Sequence, residues 1–155
     1  PDLKAVLLIR DRDKQPERRD GLEQARNEVH RNTNDEAVTI VVGLAVVERE
    51  SWVISGFETQ DDGESAKLQA EIRRIGFDPC SKSHDLTADK DDTADHSPKR
   101  VLSSLSGGNW DRERRCWTET SLDRLRERGG ENGLAAYLKE VRERLAPLIG
   151  HVAEG

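Results

Sequence analysis

The chain is poor in the residues that mark secreted, zinc-binding and membrane-spanning proteins. Its 155 residues include only two cysteines, Cys80 and Cys116, without Cys-x-x-Cys or Cys/His spacing. Neither a disulfide framework nor a zinc site is therefore expected. No apolar run approaches the roughly 20 residues that span a bilayer, and no signal-peptide pattern opens the chain. These absences predict a cytoplasmic protein in a reducing compartment, with no membrane segment.

Methionine is also absent, and Pro1-Asp2 stand directly before a strand-like run. This combination predicts that the chain starts inside a longer gene product. We expect an N-terminal strand to precede Pro1 and to be missing here.

The balance of charge excludes a globally basic protein. The net charge is -6 at pH 7, so no overall positive field draws the chain to nucleic acid or to anionic membranes. Binding of a polyanion must be local, and arginine groups such as Arg112, Arg114 and Arg115 could serve as such contacts. Hydrophobic residues make up 34% and charged residues 36%, a lean composition that still groups its apolar residues into patterned runs.

Two apolar runs predict a small parallel sheet. Ala5 to Ile9 is short and wholly apolar, which is typical of a strand buried on both faces, and Ala37 to Val47 is rich in β-branched residues. A helix follows Pro16 between them, with Leu22 and Ala25 at helical spacing. Strand, helix and strand in this order predict a parallel crossover.

The rest of the chain predicts mainly helices. A short helix ends near Gly56, Glu64 to Ile75 is amphipathic, and Ser97-Pro98 begins a helix that Gly107 stops. Gly133 to Ile149 has an apolar face that includes Leu148. We expect three parts: an α/β core at residues 1–76, a flexible acidic loop at 77–96, and a helical C-terminal part at 97–155 packed on the core.

Asp11 and Asp13 form the candidate chemical site. They stand on alternate residues after the first strand, so both carboxylates can point the same way at the carboxyl edge of the sheet. Glu48 and Glu50 end the second strand, and we favour Glu50 as the third acid. Converging carboxylates with hard oxygen atoms suit Mg²⁺ or Mn²⁺. The alternatives are a solvated loop neutralised by flanking basic residues, and acids that begin a helix.

Other candidates are weaker. Lys14 and Lys99 could hold substrate phosphates, although exposed helical lysines are common. Trp52 is expected to pack beside the site. No phosphate-binding glycine loop, nucleophile elbow or His-Glu-x-x-His motif occurs.

Three short motifs, taken in order, resemble the Toprim-like proteins. They are Val6 to Asp13 (VLLIRDRD), Val46 to Ile54 (VVERESWVI) and the Ser-Pro-Lys helix start at Ser97 to Lys99. More narrowly, the chain looks like an uncharacterised Toprim-related family of bacterial defence loci often found beside an ABC-type or SMC-like ATPase.

The resemblance implies a Toprim-like, Rossmann-like α/β fold, a partly parallel sheet flanked by helices with a helical C-terminal part. It also implies a Mg²⁺- or Mn²⁺-dependent endonuclease, with Asp11 and Asp13 as metal ligands and catalytic residues. Glu50 could complete the metal shell. The family's general acid/base is a glutamate on an upstream strand, which has no counterpart after Pro1. The implied partners are DNA or RNA, an ABC/SMC-like ATPase subunit and a second copy of the chain.

Two other functions stay open from sequence. The chain could be a non-catalytic Toprim-like scaffold that docks on an ATPase through its charged C-terminal helices. It could also be a small-molecule phosphotransferase or phosphatase that uses the same Asp-x-Asp edge.

Overall fold

Helices make up most of the described residues and flank a small parallel sheet. A computed structural model describes residues 3–12, 15, 17–32, 38–87 and 91–150. Within them the elements, in chain order, are β1 (Ala5–Asp11), α1 (Arg18–Asn32), β2 (Thr39–Ala45), α2 (Arg49–Ser55), α3 (Asp62–Ile75), a 3₁₀ turn (Ser83–Asp85), α4 (Pro98–Ser106), α5 (Trp110–Thr118), α6 (Leu122–Arg128), α7 (Leu134–Glu140), a π-helical turn (Val141–Leu145) and α8 (Ala146–Ile149).

The sheet confirms the expected parallel crossover. Among the described residues it has two strands, β1 and β2, which pair in parallel with Ala5 opposite Thr39 and Asp11 opposite Ala45. Helix α1 connects them. Both strands therefore end at the same edge, from which Asp11 and the segment after Ala45 emerge.

The expectation that the first strand is buried on both faces is wrong for the described part of the chain. Leu7 and Ile9 are 46% and 42% exposed, whereas Val41 and Ala45 of β2 are fully buried. The physical reason is placement, because α1, α2 and α7 all contact β2. The outer strand has only β2 as its strand partner among the described residues.

The main hydrophobic cluster lies between α2, α4 and α5. Its members include Ile54, Phe57, Leu102 and Leu105. Helix α4 confirms the prediction closely: Pro98 opens it, and it ends at Gly107 in the left-handed conformation, φ 67°. Its buried stripe consists of Val101, Leu102 and Leu105, as the helical spacing indicates.

Part of the predicted flexible acidic loop at 77–96 belongs to this core. Cys80, Ser83 and Leu86 are buried, and the Thr87 amide donates to the His96 carbonyl at 2.9 Å. The sequence pattern does not reveal these contacts, because the apolar residues that make them are isolated among acidic and polar ones. The first half of the segment is therefore packed domain structure.

Two nearly buried ion pairs tie α3 to the later helices. Glu64 accepts from Arg112 of α5 at 2.6 and 3.0 Å, and Glu71 accepts from Arg100 of α4 at 2.6 and 2.9 Å. The guanidinium of Arg112 also lies 4.3 Å from the centre of the Phe57 ring. Arg112, considered above as a local contact for polyanions, is thus a core residue that is only 8% exposed.

The C-terminal helical run is irregular for a local reason. Pro147 has no N–H and would clash with the carbonyl four residues earlier in a regular α-helix. The chain passes through the π-helical turn instead, in which the Ala146 amide bonds to the Val141 carbonyl. The extra residue shifts the following side chains, so Leu148, expected to face inward, is 45% exposed.

Asn132 joins the end of β2 to the surrounding helices. Its side chain is fully buried, donates to Ser55 and Ser83 at 2.8 and 2.7 Å, and accepts from the Leu134 amide at 3.0 Å. Its carbonyl accepts from the Val46 amide at 2.9 Å and from the Trp52 indole at 2.7 Å. One residue therefore holds four segments together.

We expect Asn132→Ala to lower the free energy of unfolding by about 3 kcal/mol, because several buried polar groups lose their partners. Urea unfolding followed by circular dichroism measures this. Asn27→Ala, on the exposed face of α1, is the control and should change stability by no more than about 0.5 kcal/mol. Equal effects of the two substitutions would contradict the role of Asn132.

The Glu71–Arg100 pair predicts loss of stability in acid. Burial alone would raise the pKa of Glu71, but hydrogen bonds from Arg100 and Ser104 outweigh it, so the pKa is lowered from 4.5. A carboxyl whose pKa is lower in the folded state stabilises the fold above the unfolded pKa. That stability is lost as the pH falls through the folded pKa.

The free energy of unfolding of the parent should therefore decrease as the pH falls below about 4.5. Glu71→Gln should be less stable at pH 7 and should show a shallower pH dependence in urea titrations at several pH values. Glu127→Gln, at a side chain that is 71% exposed, should retain the parental slope. A parental slope in Glu71→Gln would show that other groups cause the acid sensitivity.

Candidate functional site

The carboxyl edge of the sheet brings Asp11 to the start of α2. The Asp11 Oδ1 atom accepts from the Arg49 amide at 3.0 Å, and the Arg49 Nε atom lies 3.6 Å from the same oxygen. The Asp11 side chain keeps 28% exposure. Asp11 therefore accepts from a backbone amide in the first turn of α2, which has no acceptor within the helix. Part of the Asp11 carboxylate stays open to solvent.

Glu48 lies at the same edge, one residue before α2. Its backbone is extended and its side chain is only 13% exposed. Lys99, in the first turn of α4, places its Nζ atom 3.9 Å from Glu48 Oε1 and 3.0 Å from Asp92 Oδ1. The edge thus combines residues from the end of β1, the β2–α2 connection, the acidic segment and α4.

Burial and neighbouring charges of both signs set the electrostatics of this cluster. Burial raises the pKa of Glu48, the Lys99 charge opposes the rise, and the charges of Glu50, Asp11 and Asp92 add to it. The pKa of Lys99 is raised by its hydrogen bond to Asp92 and by the charge of Glu48. A buried carboxylate beside other carboxylates favours a cation, because positive charge stabilises its ionised form.

The structure describes some predicted site residues and omits others. Asp11, Glu50 and Lys99 lie near Glu48, whereas Asp13 and Lys14 lie outside the described residues. From sequence we favoured Glu50 over Glu48, but Glu48 is the acid that pairs with Lys99, and its side chain is largely enclosed. Within the described ranges, no three His, Cys, Asp or Glu side chains are gathered closely enough to hold a metal ion.

Two contacts at this edge were not anticipated. Arg49 pairs with Asp11, and Asp92 pairs with Lys99. Alternating charges in Glu48-Arg49-Glu50 were the only sequence signal for the first contact. Asp92 was one of several acids in its segment, and no local pattern distinguished it. The first joins residues 38 positions apart in the chain, and the second joins residues seven positions apart.

Trp52 packs beside this edge, as expected. Its side chain is 3% exposed, and its ring stacks on Tyr137 with centroids 5.2 Å apart. The absence of a side chain at Gly43 permits this packing, because a Cβ there would lie 2.8 Å from the Tyr137 ring and 3.0 Å from the Trp52 ring. The pair fixes α2 and α7 on the β2 face.

These features define an α/β protein that has a small parallel sheet, flanking helices and a charged site at the carboxyl edge of its strands. No protein-family model, curated protein or solved structure matches the chain. None of the helices within the described residues combines the length and apolar character needed to cross a membrane.

The contact between Asp11 and α2 predicts a difference between two substitutions. Asp11→Ala should lower the free energy of unfolding by about 1 kcal/mol, because the Arg49 amide loses its acceptor. Asp11→Asn should cost less, since its side-chain oxygen can still accept. Urea unfolding at pH 7 compares them, and an equal loss in both variants would contradict the hydrogen bond as the cause.

Proposed function

We propose that the chain is a metal-dependent nuclease subunit that cleaves phosphodiester bonds in DNA or RNA. The observation that supports this most is the placement of Asp11 and of the Glu48–Lys99 pair near one another at the carboxyl edge of two parallel strands. Ligands of open parallel α/β sheets bind at such edges. The Toprim-like order of motifs described above supports the same assignment.

The donor chemistry of this edge fits a hard divalent cation. Asp11 has carboxylate surface open to solvent, and the burial and acidic neighbours of Glu48 favour a positive charge beside it. Asp11, Asp13 and Glu48 or Glu50 would hold Mg²⁺ or Mn²⁺, both of which prefer carboxylate oxygens. When bound, such an ion polarises the phosphate, lowers the pKa of a coordinated water and stabilises the leaving oxygen.

The basic residues around the edge have separate roles in this proposal. Lys99 neutralises Glu48 and Asp92, and its 44% exposed side chain can turn to a substrate phosphate. Lys14 and Arg12 would hold flanking phosphates. The negative net charge of the chain does not oppose this, since only the groove must be positive.

The proposal includes a protein partner, an ABC/SMC-like ATPase in a cytoplasmic bacterial anti-phage defence system. Trp110 is 72% exposed, and Trp117 and Leu122 are 38% and 55% exposed on α5 and α6. Exposed tryptophans are typical anchors of protein interfaces. This surface would suit docking on the ATPase. It would serve a catalytic subunit and a non-catalytic scaffold equally well.

Metal binding tests the proposal directly. We expect calorimetric titration at pH 7.5 to detect Mn²⁺ or Mg²⁺ binding by the parent chain. In Asp11→Asn and Glu48→Gln, with folding confirmed by circular dichroism, the affinity should fall at least about tenfold, because each variant removes a charged donor. Glu127→Gln makes the same change in charge at a residue away from the edge, and this variant should bind the metal ion like the parent.

Cleavage assays separate the functions. Mn²⁺-dependent fragmentation of DNA or RNA that is lost in Asp11→Asn would support the nuclease. Turnover of small phosphate esters without cleavage of nucleic acid would favour the phosphotransferase or phosphatase. Metal binding that is absent, or unchanged in both edge variants, would overturn the nuclease proposal and favour the scaffold.

A further inference from the structure

A cavity of about 430 Å³ lies next to the candidate site on the opposite face of the strands. Its floor consists of Val42, Leu44 and Val46, and its walls come from α1 and from the helical run that begins with α7. Successive strand residues face opposite sides, so this floor is turned away from the face of Val41 and Ala45. Its volume falls within the range of small-molecule and cofactor sites.

The charges that line this cavity leave a positive excess. Four basic side chains and three carboxylates contribute to its lining. Each carboxylate has a basic partner, in the pairs Arg19–Glu23 at 3.2 Å, Arg26–Glu140 at 3.3 Å and Lys139–Glu143 at 3.9 Å. The fourth basic residue is Arg12, whose side chain forms no hydrogen bond or ion pair with any residue that the structure describes.

Arg12 connects the cavity to the acidic edge. Its amide donates to the Ala45 carbonyl at 2.7 Å, which continues the pairing of β1 with β2 by one residue. Because side chains alternate along a strand, Asp11 lies on the α2 side and Arg12 lines the cavity. A ligand phosphate on Arg12 is thus within one residue of the candidate catalytic carboxylate, whereas Arg10 does not contribute to the cavity lining.

The cavity offers apolar surface beside this charge. Tyr137 lines it together with Val42 and Leu44, and the Tyr137 hydroxyl forms no hydrogen bond with the described part of the chain. An apolar floor beside a hydroxyl and a guanidinium that have no partner among the described residues suits a flat, polar-edged ring that carries a phosphate. A base that remains stacked in a duplex cannot enter a concave site of this size.

We infer that this cavity holds one unpaired nucleotide of single-stranded DNA or RNA, with its phosphate on Arg12, its base over Val42 and Leu44, and Tyr137 at the cavity wall. The inference rests on the proposed nuclease function and specifies its substrate as a single strand. The neighbouring phosphate would then lie at the Asp11 edge.

The test measures binding without cleavage. Fluorescence anisotropy in the presence of EDTA measures binding of the 155-residue chain to a labelled ten-nucleotide oligothymidylate and to a labelled duplex of the same length. The single strand should bind more tightly than the duplex. Arg12→Ala should raise its Kd at least about tenfold, because a charge-assisted contact is lost. Arg10→Ala removes the same charge two residues away and should leave the Kd within about twofold of the parent.

A second variant adds charge to the cavity without removing any structural contact. Ala136 is exposed on α7 and lines the cavity, so Ala136→Glu should fold normally and weaken oligonucleotide binding at least about tenfold by repelling the phosphate. Equal weakening by Arg10→Ala and Arg12→Ala would overturn the inference, as would parental affinity in Ala136→Glu. The absence of single-strand binding would also overturn the inference. The nuclease proposal would still stand in that case if the same protein showed Mn²⁺-dependent cleavage.

Discussion

The buried amide of Asn132 is the constraint on which the arrangement of this protein depends. Its carbonyl receives the Val46 amide directly after β2, and its side chain bonds to serines of α2 and the 3₁₀ turn. These contacts determine where the chain leaves β2 and therefore where Glu48 lies, one residue before α2. A buried side-chain amide of this kind is a strong constraint on the fold. A buried polar group without a partner costs more free energy than one formed hydrogen bond contributes.

The close approach of Gly133 completes this constraint. Gly133 has a φ of 90°, and a Cβ there would collide with the Leu44 carbonyl oxygen. Glycine allows both the left-handed backbone and the contact with β2. The turn at residues 132–133 can therefore lie against the strand while α7 continues along its buried face.

Paired charges replace part of the apolar core that this lean composition lacks. Glu64–Arg112 and Glu71–Arg100 lie largely inside the molecule, where an unpaired charge would be strongly unfavourable. The carboxylates at the sheet edge are different, because Glu48 keeps a raised pKa despite Lys99. The contrast between satisfied pairs in the core and excess acid at the edge is the physical basis for proposing chemistry at the edge.

Asp11 connects the fold to the proposed chemistry. It bonds to the α2 amide of Arg49 and still exposes carboxylate surface. A metal ligand that is already held by a backbone hydrogen bond loses little conformational freedom on binding. The same strand end directs Arg12 to the other face, so one short segment serves both the acidic edge and the adjacent cavity.

The sequence by itself determined the local elements of this protein. The β-branched run predicted β2, the Ser97-Pro98 start and Gly107 stop predicted α4, and the strand–helix–strand order predicted the parallel pairing. These features depend on backbone preferences and on periodic burial, which neighbouring residues encode. Asp11, Lys99 and an acid after β2 were likewise recognisable from their positions at the ends of elements.

Only the tertiary structure decided which of these residues meet. It paired Glu48 rather than Glu50 with Lys99, buried Arg112 against Glu64 and left Leu7 and Ile9 of β1 exposed. Each outcome depends on contacts between residues distant in the chain. Single acids and arginines look alike in sequence until packing determines which are desolvated and paired, because the free energy of a charge depends on its surroundings rather than on its neighbours in the chain.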